Sequence, residues 1–176
     1  MNLEQKIKNA TRDVADFPKP GILFKDITPI LHDQKLCSEI IDEFINKLKD
    51  TKIDAIVGTE SRGFLFGFLL ANKTNVPFVL LRKSGKLPWK TNAYEYELEY
   101  GKAKVEIHVD SLKPNWNVLV HDDLLATGGT AEASANLVLM QKAKVAGFAF
   151  VVELGFLDGK EKLKKYSKNI ISLVTY

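Results

Sequence analysis

Residues 117–131 read Asn117-Val-Leu-Val-His-Asp-Asp-Leu-Leu-Ala-Thr-Gly-Gly-Thr-Ala131. The apolar run 118–120 reads as a buried strand that ends in two adjacent acids, Asp122 and Asp123. Thr127-Gly128-Gly129-Thr130 follows, and a helical pattern opens at Ala131 and runs to about residue 143. Strand, acid pair, small-residue loop and helix is an order found in open parallel sheets, where ligands bind beyond the carboxyl ends of the strands. A glycine-rich loop at a helix N-terminus lets backbone N–H groups approach an anion, and phosphate is the natural guest. Thr127 and Thr130 add hydroxyl donors. Two carboxylates beside a phosphate would repel it, so they are expected to face vicinal sugar hydroxyls or a hydrated cation. The local reading is a phosphorylated sugar. A turn of glycines before a capped helix would account for Gly128-Gly129 alone, but not for Asp122-Asp123 after an apolar strand. Neither Gly-x-x-x-x-Gly-Lys-Ser/Thr nor Gly-x-Gly-x-x-Gly occurs, which disfavours an ordinary nucleoside-triphosphate or dinucleotide loop.

The 176 residues are expected to form one domain around a single core. A net charge of +3 is too small to argue for nucleic acid and mildly favours small anionic ligands. Uninterrupted apolar runs reach eight residues, at 64–71 and 145–152, against the ~20 that a membrane helix needs. The first sixteen residues carry Glu4, Lys6, Lys8, Arg12 and Asp13 without an apolar stretch, so no secretory signal is expected and the chain is assigned to the cytoplasm. Cys37 is the only cysteine, which excludes an internal disulfide and a cysteine-based metal site.

Outward from the central stretch, Leu3, Ile7, Ala10 and Val14 recur at helical spacing and predict a helix over 3–14. Residues 17–30, with three prolines and a glycine but many apolar side chains, read as an ordered loop. Within it Phe24, flanked by Lys25 and Asp26, offers either a stacking face for a base or packing under its own loop. Asp33 is placed to cap a helix over 34–49. Residues 53–59 read as a buried strand, Glu60-Ser61-Arg62-Gly63 as a polar turn facing the same crevice as Asp122, and 64–72 as a helix. Arg62 suits a diphosphate through its planar fork, or else pairs with Glu60 at the surface. A strand over 77–81 leads into Arg82-Lys83-Ser84-Gly85-Lys86-Leu87-Pro88, a solvated turn or an anion clamp. Strict alternation over 94–100 and again over 105–109 predicts a two-stranded antiparallel flap, with tyrosines on one face and Glu95, Glu97 and Glu99 on the other. A strand over 145–154, a lysine-rich solvated helix over 160–168 and an edge strand over 170–174 complete the chain.

Several of these motifs together resemble the type I phosphoribosyltransferase family. Residues 118–131 resemble its phosphoribosyl-pyrophosphate loop, and Leu124-Leu125-Ala126-Thr127 is similar to the wording of the adenine-specific branch. Phe17-Pro-Lys-Pro-Gly-Ile-Leu-Phe-Lys-Asp-Ile27 resembles the hood over the purine, Ser61-Arg62-Gly63-Phe64 the pyrophosphate-binding turn with its strained peptide bond, and Arg82 to Pro88 a second pyrophosphate contact. Leu98-Glu99-Tyr100-Gly101 matches part of the family's flexible closing loop. The resemblance implies a single α/β domain, 1–176, with a mainly parallel sheet flanked by helices, an N-terminal helix and hood over 1–32 and a two-stranded flexible flap over 89–110. It implies transfer of the 5-phosphoribosyl group from phosphoribosyl pyrophosphate to adenine, giving AMP and pyrophosphate.

The same resemblance distributes the roles. Asp122 and Asp123 would hold ribose hydroxyls, and Ala126, Thr127, Gly128, Gly129 and Thr130 the 5′-phosphate. Ser61, Arg62, Arg82, Lys83 and Lys86 would take the pyrophosphate, with a magnesium ion carried on the phosphates and no direct protein ligand. Leu23 and Lys25 would read adenine through their backbone groups, between Phe24 and Leu124, and Glu99 would be the general base. A homodimer is expected, with neither nucleic acid nor membrane as partner. Three departures stand out: Lys25 where arginine is frequent, Ser84 where proline is common, and His121 where an aliphatic residue is usual. His121 is read as a buried structural histidine, with modulation of Asp123 as the alternative. Two other functions remain open: a phosphoribosyltransferase for another purine base, which the hood and Leu98 to Gly101 argue against, and a non-catalytic sensor of the same donor, for which the residues before the hood are too few to build a DNA-binding module.

Overall fold

The structure, a computed structural model, describes residues 1–97 and 101–176. In chain order its elements are α1 (Leu3–Ala10), β1 (Arg12–Ala15), β2 (Leu23–Asp26), α2 (Gln34–Leu48), β3 (Ala55–Thr59), α3 (Gly63–Thr74), β4 (Phe78–Lys83), β5 (Thr91–Glu97), β6 (Lys102–His108), β7 (Asn117–Leu125), α4 (Gly129–Met140), β8 (Lys144–Glu153), α5 (Gly159–Leu163) and β9 (Ile170–Thr175). Short 3-10 turns occupy Thr28–His32 and Gly155–Leu157.

Seven strands form one sheet in the order β5-β6-β4-β3-β7-β8-β9. From β4 to β9 neighbouring strands are parallel, and β6 and β5 are added antiparallel at one end. Parallel strands covered on both faces need no polar alternation, and β3 is buried at all five positions. On one face Ile7, Ile40, Phe44, Phe66 and Leu70 from α1, α2 and α3 pack on Ile56, Leu119 and Val151. On the other, Leu137, Val138 and Leu163 from α4 and α5 pack on Val57, Val120, Phe148 and Phe150. Asp33 caps α2 as expected, accepting from the Leu36 N–H at 3.0 Å. No helix among the described residues is long and apolar enough to cross a membrane.

Four local expectations are corrected. The helix predicted over 3–14 stops at Ala10, because Thr11 is extended and Arg12–Ala15 pair antiparallel with Leu23–Asp26. The spacing of Val14 fits a helix, but its backbone is spent on this ribbon. Leu23–Asp26, within the expected hood loop, are therefore strand. The acids Asp122 and Asp123 lie inside β7 instead of after it, since β8 keeps pairing alongside as far as Leu125↔Glu153. The lysine-rich helix spans only Gly159–Leu163. Leu163 is its one buried apolar anchor, too little to hold a longer helix to the fold.

The predicted hairpin is present as β5 and β6, with Tyr94 and Tyr96 packed toward the α4 side and Glu95 and Glu97 exposed. It is stitched into the main sheet through Arg82↔Glu106 and Lys83↔Val105. Glu99, the expected base, lies outside the described residues with Leu98 and Tyr100.

Candidate active site

The chain leaves β3 into α3 on one face of the sheet and leaves the adjacent β7 into α4 on the other. That change of side opens a crevice at the carboxyl ends of the two strands. A cleft of about 310 Å³ lies there, and it joins Ser61, Arg62, Lys83, Asp122, Asp123, Leu124 and Thr130, with Thr59, Glu60 and Tyr96 completing its walls. Residues separated by as many as 71 positions in sequence, Thr59 to Thr130, thus share one space.

Asp123 is buried and receives the Arg62 Nε–H at 2.6 Å. The Asp122 carboxylate oxygen Oδ1 accepts the Asp123 backbone N–H at 2.9 Å. Burial first, and the neighbouring Asp123 charge second, push the Asp122 carboxyl well above the usual carboxylate range. One acid is thus paired with an arginine while the other holds its proton more tightly than an ordinary carboxyl. Such a pair presents oxygen atoms that can hydrogen-bond hydroxyl groups.

Arg62 also lies over the Phe24 ring, 5.0 Å from its centroid, and Phe17 meets the same ring edge-on at 5.0 Å. Phe24 therefore stands at the mouth of the crevice, linked to the acid pair through one guanidinium. Leu23 beside it is exposed, while the Lys25 side chain is buried on the opposite face of the ribbon.

At the end of β4 the Arg82 side chain is held by Glu60, and the loop that follows is held by Glu106. Glu60 accepts from Arg82 Nη2 at 3.1 Å and Nε at 3.3 Å, and from the Lys83 backbone N–H at 2.9 Å. Burial works to raise the Glu60 carboxyl, but these hydrogen bonds outweigh it and hold the group below the usual range. Arg82 Nη1 further donates to the Lys86 carbonyl at 3.0 Å, which closes the loop on itself. Glu106 accepts from Ser84 Oγ at 2.7 Å and from the Gly85 N–H at 3.1 Å. The Ser84 hydrogen bond, opposed by burial and assisted by Gly85, keeps the Glu106 carboxyl low. Alternation over 105–109 would turn Glu106 outward between Val105 and Ile107, yet the structure buries all three.

The loop Ala126 to Thr130 reaches α4 through Gly128, whose φ of +81° lies in the left-handed region. A Cβ there would come 2.7 Å from the Gly159 carbonyl oxygen, and a Cβ on Gly159 would collide with the Ala126 carbonyl oxygen. The two glycines allow the start of α5 to buttress the loop from behind. Thr130 Oγ1 and Tyr96 Oη are 3.0 Å apart, so β5 touches the loop from the front. In the turn after β3 the Glu60–Ser61 peptide bond is cis.

His121 is fully buried on β7, edge-on to Phe44 at 5.5 Å, and burial lowers its pKa to about 4. It is neutral at ordinary pH, in keeping with the structural reading.

With the geometry in place, the chain can be set beside known proteins. Residues 27–175 match the model of the phosphoribosyl transferase domain family. Adenine phosphoribosyltransferase of Cytophaga hutchinsonii is 47% identical over 174 residues, covering 99% of this chain and 96% of that relative. The same-named protein of Ureaplasma parvum is 52% identical over 170 residues, covering 97% and 96%. Among solved structures, adenine phosphoribosyltransferase from Thermoanaerobacter pseudethanolicus superposes with a TM-score of 0.95 at 48% identity, covering 99% of this chain and 100% of that one. The Saccharomyces cerevisiae enzyme, solved with an imino-altritol bisphosphate and adenine, gives 0.90 at 40% identity, covering 97% and 98%.

Proposed function

The chain belongs to the phosphoribosyl transferase domain family, and from that membership and the site geometry we infer that it transfers the 5-phosphoribosyl group from phosphoribosyl pyrophosphate to adenine in purine salvage. The observation that carries the reading is the meeting of the acid pair, the small-residue loop and the arginine-bearing turn in one cleft at the β3–β7 boundary.

Breaking the anomeric C–O bond builds positive charge on the ribose and sends negative charge out with pyrophosphate. Each demand meets residues of this chain. Ala126 to Thr130 bind the 5′-phosphate by backbone N–H groups and threonine hydroxyls at the start of α4. Asp122 and Asp123 hold ribose hydroxyls and place hydrogen-bonding carboxyl oxygens beside the developing cation. Ser61, Arg62, Arg82, Lys83 and Lys86 receive the pyrophosphate, for which Arg82 must exchange part of its Glu60 contact for phosphate oxygens. Phe24 and Leu124 flank adenine while Leu23 and Lys25 read it through backbone groups. Glu99 takes the purine proton as the new bond forms.

Magnesium belongs to the same reading. No group of three or more His, Cys, Asp or Glu side chains suited to a metal occurs among the described residues. Asp122 and Asp123, carboxyl groups of the cleft, would hold the hydroxyls around such an ion and would not ligate it directly. When bound it would supply charge neutralisation of the leaving group. The expected cytoplasmic location and a homodimer complete the proposal. The dimer is supported by α3, which is apolar over residues 63–71 and exposes Leu65, Phe68 and Leu69 there, with Leu80 of β4 also exposed.

The test is incubation with phosphoribosyl pyrophosphate, magnesium and each purine base in turn. Adenine consumption with stoichiometric pyrophosphate release is expected. Donor binding without turnover would overturn the reading, and turnover of hypoxanthine or guanine in preference to adenine would replace its acceptor.

A further inference from the structure

The adenine reading places two backbone contacts and a stacking ring on β2, a strand of only four residues that pairs with the equally short β1. A two-stranded ribbon of that length is marginal by itself. Something outside it must fix the height and tilt of Phe24. Successive side chains on a strand point to opposite faces, so Phe24 and Lys25 face apart. Phe24 looks toward Arg62 and the crevice, while Lys25 is 9% exposed and points the other way.

What holds Lys25 is a two-sided socket. Its ammonium donates to Asp13 Oδ1 at 2.7 Å, across the ribbon in the Asp13↔Lys25 register, and lies 4.0 Å from the centroid of the Tyr176 ring. Asp13 moves with the ribbon and cannot anchor it. Tyr176 belongs to another part of the molecule. Its backbone N–H donates to the Glu153 carbonyl at 2.9 Å, and its carbonyl accepts from the Gly155 N–H at 3.0 Å, which fixes it at the carboxyl end of β8. The ring also packs against the α1–α2–α3 side of the core. A cation on an aromatic face is attracted by the ring's quadrupole, most strongly where water is excluded.

We propose that Tyr176 is a positioning residue for the base site: its ring holds the Lys25 ammonium and so fixes the strand on which Phe24 is presented to adenine. The inference rests on the adenine reading of the hood.

Tyr176→Leu keeps an apolar filling and removes the π face, whereas Tyr176→Phe keeps the face. The expected result for Tyr176→Leu is an adenine KM raised about five- to tenfold, with the phosphoribosyl pyrophosphate KM unchanged. Tyr176→Phe is expected to restore the adenine KM. An unchanged adenine KM in Tyr176→Leu, or an equal rise in both KM values, would overturn the proposal. Phe24→Ala separates the two levels. If it raises the adenine KM while Tyr176→Leu does not, only the anchor is wrong; if neither does, the hood reading itself fails.

Discussion

Arg62 donates to the buried Asp123 carboxylate at 2.6 Å, and this one contact ties the turn after β3 to the acid pair on β7. The surface pair with Glu60 that the sequence left open is not formed, because Glu60 is taken by Arg82. Both arginines assigned to pyrophosphate thus have carboxylate partners. Arg62 uses only its Nε–H on Asp123, so that contact orders the side chain before an anion arrives and lowers the cost of ordering it on binding.

Arg62→Lys keeps the charge but loses the planar fork and the contact over Phe24. KM is expected to rise about tenfold for phosphoribosyl pyrophosphate and to rise for adenine as well. Steady-state kinetics with each substrate varied in turn checks this; an effect on the donor alone would detach Arg62 from the base side.

Glu106 serves the loop where Ser84 replaces a commonly rigid proline. In Glu106→Gln the acceptor for Ser84 and the Gly85 N–H is weakened, and the donor KM is expected to rise about fivefold while kcat at saturating donor holds. Titrating donor at fixed adenine measures both. A fall in kcat with unchanged KM would place Glu106 elsewhere in the reaction.

Gly159 lies outside the motifs that carry the family resemblance, yet its backbone supports Gly128. Gly159→Ala forces a methyl group against the Ala126 carbonyl, a clash that costs about 1–3 kcal/mol in a packed site. The expectation is a donor KM raised on the order of tenfold. Unaltered donor affinity, read by isothermal titration, would show that the loop is not buttressed from α5.

His121 links stability to acidity. Its folded pKa is lowered to about 4 by burial, against an ordinary value of 6.5, so the unfolded chain binds the proton more readily. Its contribution is complete above pH 6.5 and is lost as pH falls toward 4, a loss on the order of 3 kcal/mol. Urea denaturation across that window should show a shallower decline in His121→Val than in the parent. Parallel curves would mean that the imidazole is not desolvated. The pH–rate profile should be the same in both, since the ring packs on Phe44; an altered profile would revive a role in modulating Asp123.

Phe68 is 57% exposed in the middle of an apolar helix. Phe68→Glu should convert a dimer to a monomer in sedimentation velocity. A parent chain that sediments as a monomer would remove the dimer from the proposal.

The central stretch was legible because its pieces are local: an apolar run, two acids, four small residues and a helix. The boundary errors arose where long-range pairing overrode local pattern. Val14 has helical spacing but is bound to Phe24 across the ribbon, and Asp122-Asp123 look like a strand terminus but lie beside β8. The same reason hides Glu60, Glu106, Gly159 and Tyr176. Each acts on a residue more than twenty positions away, and periodicity carries no information about such partners.

The parallel pairing of β3 with β7 brings Ala55 beside Val118 and is fastened by Asp54, whose carboxylate accepts both N–H donors of Asn117. The two halves of the site are therefore joined by a closure spanning more than sixty residues, the kind of contact that forms late and slows folding. A chain with helices and hairpins formed but this pairing still open holds a phosphate loop and an arginine turn that never meet. Recovery of activity on refolding should accordingly coincide with the slowest structural phase, and added donor should shift the balance only toward the fully closed chain.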